Sequence, residues 1–133
     1  MKLLFLTLVL TFAFGGVLTT DAQTSQTISV RVGKQKKASR SKLTIKFVSL
    51  VEDSRCPKDV DCIHAGNATI KVLVSKSGGE SKTLEMNTDL GPKGDTFEGY
   101  AINLTSLTPI PMSNIRINRN AYTATFSVSR LSR

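Results

Sequence analysis

From Thr27 onward apolar and polar residues alternate with a period of two, the pattern of half-buried strands. Ile28, Val30 and Val32 share one face of a first short strand. In the second, Leu43, Ile45 and Phe47 alternate with Thr44, Lys46 and Val48, and the apolar set changes face near Ser49-Leu50-Val51, as a bulge or strand end would produce. Ile70, Val72 and Val74 mark a strand over Ala68 to Ser75. Lys76-Ser77-Gly78-Gly79-Glu80 then reads as a hairpin turn, and Ser81 to Met86 as the returning strand. A polar loop from Asn87 to Asp95 precedes a strand around Phe97 to Leu107, with Tyr100, Ile102, Leu104 and Ser106 on one side; Pro109 and Pro111 end it. Ile115 and Ile117 read as a short edge strand, and Tyr122, Ala124, Phe126 and Val128 alternate in the last one. Gly33 to Lys42 reads as a basic, Ser-rich turn. No amphipathic helix interrupts this series. The prediction is an all-β domain of six to seven strands, an antiparallel β-sandwich (immunoglobulin-like) or a small barrel.

The first residues follow a different pattern. Lys2 precedes an apolar run, Leu3 to Phe14, broken at Gly15-Gly16, with small residues at Thr20 and Ala22. That is the layout of a signal peptide, 1–22, cleaved before Gln23, and the run is at the short end for spanning a bilayer of about 30 Å. The expectation is a secreted or periplasmic protein with no transmembrane segment after cleavage, and a single domain over 23–133. The two cysteines, Cys56 and Cys62, then meet an oxidising compartment and are expected to pair.

Three stretches carry a resemblance. Phe47 to Pro57 ends in Asp53-Ser54-Arg55-Cys56-Pro57, Cys62 to Ala68 reads Cys-Ile-His-Ala-Gly-Asn-Ala, and Gly99 to Pro111 ends in Leu107-Thr108-Pro109-Ile110-Pro111. Together they resemble a group of small, uncharacterised secreted bacterial proteins with an Asp-Ser-Arg-Cys-Pro and Cys-x-Trp-Ala-Gly signature. His64 stands where that group has tryptophan. The resemblance implies export, β architecture and the Cys56–Cys62 pair, and carries no activity with it.

Charge is uneven along the chain, whose formal net charge is +8. From Gln23 to Val51 there are seven basic residues and no acid, while all the acids beyond Asp21 lie between Glu52 and Glu98. Lys34, Lys36, Lys37 and Arg40 are thus candidates for contact with an anionic polymer; the alternative is a solvated surface that favours solubility. Nucleic acid is not expected, because no aromatic platform is interleaved among the bases.

Glu52, Asp53, Asp59, Asp61 and His64 lie close enough in sequence for a cation site, and calcium would suit such an oxygen-rich loop. The competing reading makes Asp53 and Ser54 hydrogen-bond acceptors for turn amides, pairs Arg55 with a carboxylate, and leaves Asp59 and Asp61 as loop residues. One imidazole and a bridged cysteine pair leave too few ligands for zinc, and nothing resembles a nucleophile elbow. No catalytic residue and no cofactor is assigned. Pro109, Ile110 and Pro111 form a stiff apolar segment, fit either to dock in a partner's groove or to cross between sheets. Asn67-Ala68-Thr69 and Asn103-Leu104-Thr105 match the glycosylation pattern, and at strand positions both matches read as accidental. The functional expectation is a monomeric, non-enzymatic module that binds an envelope or extracellular partner. The alternatives are a protease-inhibitor-like domain presenting Cys56 to Cys62 and Pro109 to Met112, and a calcium-binding module using the 52–64 loop.

Overall fold

The computed structural model describes residues 16 and 23–132, so the expected signal peptide lies, apart from Gly16, outside the described residues. The rest forms two four-stranded antiparallel sheets facing each other, a sandwich and not a closed barrel. The strands are β1 (Gln26–Arg31), β2 (Gln35–Ala38), β3 (Leu43–Asp53), β4 (Ala68–Lys76), β5 (Ser81–Asn87), β6 (Gly94–Phe97), β7 (Tyr100–Thr108) and β8 (Thr123–Arg130). One sheet has the order β1-β8-β7-β6 and the other β2-β3-β4-β5. Each strand lies beside its neighbours in sequence, an up-and-down path in place of the Greek key of immunoglobulin domains.

The alternating residues do what their period requires. Phe47 and Phe126 are fully buried between the sheets, together with Leu43, Ile45, Ile70, Val72, Val74 and Ile102. Register shifts after Phe47 and after Leu50 turn β3 over, at the place where its apolar set changes face. A third shift between Leu104 and Ser106 corrects one expectation. The bulge reverses the parity of β7, so Ser106 is exposed and Leu107 is buried in its stead.

Among the described residues the strands number eight, two of them without an apolar alternation to announce them. β2 lies inside the expected basic turn and buries only Ala38; its backbone pairs with β3 through Gln35 to Ala38. β6 buries only Phe97 and pairs with Asn103 to Tyr100 of β7. Gly94 permits that pairing, since a Cβ there would stand 2.1 Å from the Ile102 carbonyl oxygen. The expected edge strand at Ile115 and Ile117 reduces to one bridge, Met112 to Ile115, followed by a 3₁₀ turn, Arg119–Ala121. Nor does the Pro109 to Pro111 segment cross between sheets. It begins the long connection from β7 to β8, neighbours in one sheet, which passes over the end of the other.

Polar links close the two seams between the sheets. Lys82 of β5 meets Asp95 of β6 at 2.7 Å, and Lys76 at the end of β4 meets Glu98 in the turn after β6 at 3.2 Å. Along β1 and β2, the Gln26 side chain donates to Ser39 Oγ and accepts from the Arg40 amide. Among the described residues no helix is long and apolar enough to cross a membrane.

Candidate functional site: the loop end of the sandwich

The β3–β4 connection and the β7–β8 connection meet at one end of the molecule. The β3–β4 ladder extends past its strands, with the Ser54 amide donating to the Asn67 carbonyl at 2.7 Å and the Cys56 amide to Ala65 at 2.8 Å. Above this, Cys56 and Cys62 form the expected disulfide. Gly66 turns the chain at φ +73°, and a Cβ there would lie 1.9 Å from the Ser54 carbonyl oxygen. No other residue fits without moving backbone.

Arg55 ties this hairpin to the opposite sheet. Its Nε and Nη2 donate to the two oxygens of Asp53 at 2.8 and 2.7 Å, a bidentate pair with both side chains about nine-tenths buried. The remaining hydrogens reach across: Nη1 donates to the Leu107 carbonyl at 2.6 Å, and Nη2 to that of Pro109 at 2.9 Å. Asp53 also accepts from the Arg55 amide and, at 2.8 Å, from the hydroxyl of buried Tyr122. Burial alone would raise the Asp53 pKa, but the bonds from Arg55 and Tyr122 outweigh it and hold the carboxyl below its ordinary value. Burial and the bonded carboxylate together push the Tyr122 hydroxyl up to about 12.

Three further links fasten the loops to one another. The Lys58 amide donates to the Pro111 carbonyl at 2.9 Å. Asp59 accepts from the Ser113 amide at 2.9 Å and from the Ser113 hydroxyl, bonds that lower its pKa. Arg119 Nη2 donates to the Leu50 carbonyl at 2.8 Å.

Asn67 organises the neighbouring 88–92 loop from beneath. It is only 7 % exposed; its Oδ1 accepts from the amides of Asp89 and Leu90, and its Nδ2 donates to Asn87 and Thr69. With both ends of the amide bonded and buried, the glycosylation pattern at Asn67 is closed in the folded protein.

Polar atoms beneath the loops are paired, while several apolar side chains above them face solvent. Ile63 is 97 % exposed, Leu90 69 %, Ile115 60 % and Ile110 53 %. Between the loops runs a cleft of about 410 Å³ lined by Arg55, Cys56, Ala65, Thr88, Leu107 and Ile110.

The candidate cation ligands are therefore divided by use. Asp53 belongs to Arg55 and Tyr122, Asp59 belongs to Ser113, and Glu52, Asp61 and His64 are exposed. Among the described residues no group of three or more His, Cys, Asp or Glu is placed to hold a metal ion. The expected pairing of Arg55 with a carboxylate and of Asp53 with a turn amide describes what is there. The docking candidates Pro109, Ile110 and Pro111 do adjoin the disulfide loop. Lys34, Lys36, Lys37 and Arg40 are dispersed elsewhere, around β2 and the turns beside it. Unforeseen are Tyr122, Ser113, Arg119 and Asn67, whose partners are dozens of positions away or, for Asn67, on a loop beyond the next hairpin; the sole local signal was the Asn-Ala-Thr pattern.

Comparison with protein families, with curated proteins and with solved structures finds no match to this chain.

Proposed function

We propose that this protein is an exported, non-enzymatic binding module whose loop end docks on a protein partner. The observation that carries the reading is the division of labour there. Arg55 fixes the backbone of Leu107 and Pro109, while Ile110 and Ile115 on that connection and Ile63 beside the disulfide stay exposed. Rigid apolar groups over a fully paired polar base make a low-entropy docking surface, because little conformational freedom is lost on contact. Its carboxylates, Asp53 and Asp59, serve as hydrogen-bond acceptors that hold loops, which supports a binding over a catalytic role. Export is supported by the basic and apolar order of the first 22 residues, by the disulfide, and by the resemblance to small secreted proteins.

A photo-crosslinking residue at position 63 or 115 in the exported protein should give one discrete adduct with an extracytoplasmic protein. Ile110→Asp should abolish that adduct. Equal adducts from a crosslinker at Ser29, on the far sheet, would refute the reading.

A second reading rests on the same loop. Segment 107–111 is held from behind by Arg55 and by the Lys58 amide while Ile110 points outward, as a substrate-like inhibitor loop must be. Inhibition of a protease in a panel of serine, cysteine and metallo enzymes, lost in Ile110→Asp, would favour this version.

A further inference from the structure

The acid-free segment acquires a spatial meaning that its sequence does not show. Ala38 is buried, so alternation along β2 puts Lys37 on the outer face of its sheet and leaves Lys36 at the seam. Lys34 lies in the β1–β2 turn, and the Arg40 amide bonds back to Gln26. Of the four basic residues singled out from the sequence, Lys37 alone thus faces outward from the sheet.

Register supplies its companions. Lys37 pairs with Thr44, two residues before Lys46; Lys46 pairs with Leu73, two residues after Lys71. Leu43, Ile45 and Phe47 are buried, as are Ile70, Val72 and Val74, so Lys46 and Lys71 share the outer face with Lys37. Diagonal neighbours in a sheet are about 7–8 Å apart. Lys37, Lys46 and Lys71 therefore follow one diagonal across three strands.

No ion pair among the described residues involves any of the three. The acid directly across from Lys71 is Glu85 on β5, at the end of the row. The outer face of the other sheet differs: Thr27, Ser29, Thr123, Thr125 and Ser127 dominate it, with no lysine. The cations are all lysine, a point charge on a flexible stem and an established binder of phosphate; the planar, bidentate recognition of carboxylate or phosphate that arginine provides is not built into this row.

We propose that the β2-β3-β4 face is a binding track for a linear phosphate-bearing polymer, with Lys37, Lys46 and Lys71 each meeting one phosphate. This goes beyond the loop-end reading and is independent of it. The track would hold the module on a polyanionic matrix while the loop end engages its partner.

The test uses the mature protein and long-chain inorganic polyphosphate, with binding measured over a range of salt. The triple variant Lys37→Gln, Lys46→Gln, Lys71→Gln should bind at least about tenfold more weakly than the parent. Its slope of log affinity against log salt should fall by about 2, taking roughly 0.7 per lost contact as for a flexible single strand. A second triple variant, Lys58→Gln, Arg116→Gln, Arg130→Gln, removes the same charge elsewhere and should lose less than about threefold. Both should keep the parent's melting temperature within a few degrees, since the substituted side chains lie outside the core. Equal losses in the two variants would show that net charge alone drives binding and would overturn the track. Tighter binding of the parent to polygalacturonate or to duplex DNA than to polyphosphate would overturn the ligand class.

Discussion

The loop end and the outer face of the β2-β3-β4-β5 sheet use charge in opposite ways. At the loop end, Asp53, Arg55 and Asp59 are paired within the molecule and hold backbone in place, leaving exposed isoleucines to make contact. On the sheet face, Lys37, Lys46 and Lys71 stand on backbone that the β ladder already holds, and no ion pair among the described residues involves them, although Glu85 lies across from Lys71. A charge that supports an irregular loop is committed to that loop; a charge on a regular strand remains available to a ligand. Substitutions should accordingly act on stability at the first place and on association at the second.

The largest effect is expected where the paired base is broken. Asp53→Ala strips the carboxylate from a mostly buried Arg55 and from Tyr122, and should cost about 3–5 kcal/mol in denaturant unfolding, as for other one-sided breaks of buried ion pairs. The wild-type pair also predicts the acid limb. Because the folded-state pKa of Asp53 is lowered, its contribution is complete above the ordinary carboxylate value of about 3.9 and is lost as pH falls through the folded-state value.

Next comes the alkaline limb. Burial and the bonded Asp53 carboxylate hold the Tyr122 hydroxyl up at about 12 in the folded protein, against an ordinary tyrosine value of about 10, so the unfolded chain releases that proton first. Stability should fall between those two pH values by about 2–3 kcal/mol, at 1.36 kcal/mol per pKa unit. Tyr122→Phe should remove that limb.

Cys56→Ser with Cys62→Ser should cost about 2 kcal/mol, the chain-entropy value for so short a loop, and leave β-type circular dichroism unchanged. Excess calcium should not restore it; recovery would return the 52–64 loop to the cation-site reading. The smallest effect belongs to the sheet face. Each of Lys37→Gln, Lys46→Gln and Lys71→Gln should move stability by no more than about 0.5 kcal/mol, the usual range for exposed positions.

Sequence legibility follows the same division. Strands whose inner face is apolar were readable, down to the change of face in β3, because burial imposes a period of two on the side chains. β2 and β6 were not, since backbone pairing alone makes them strands and their side chains are mostly exposed. At the loop end, the pairing of Cys56 with Cys62 and the turn at Gly66 are local and could be anticipated. Arg55 was expected to find a carboxylate, but its reach to Leu107 and Pro109 depends on how the two connections meet. The row of lysines has the same origin. Lys71 is distant in sequence from the acid-free segment, and only the register of β3 against β4 brings it into line.

The central claim is that Arg55 holds the 107–111 backbone in a fixed presentation. Backbone ¹⁵N relaxation of the parent and of Arg55→Lys tests it most directly, because lysine keeps the charge beside Asp53 and loses the fork that reaches the carbonyls. The account predicts order parameters for residues 108–115 near the rigid value of about 0.85 in the parent, falling toward about 0.6 or below in Arg55→Lys while β3 and β4 stay rigid. A segment already mobile in the parent, or equally rigid in the variant, would contradict it.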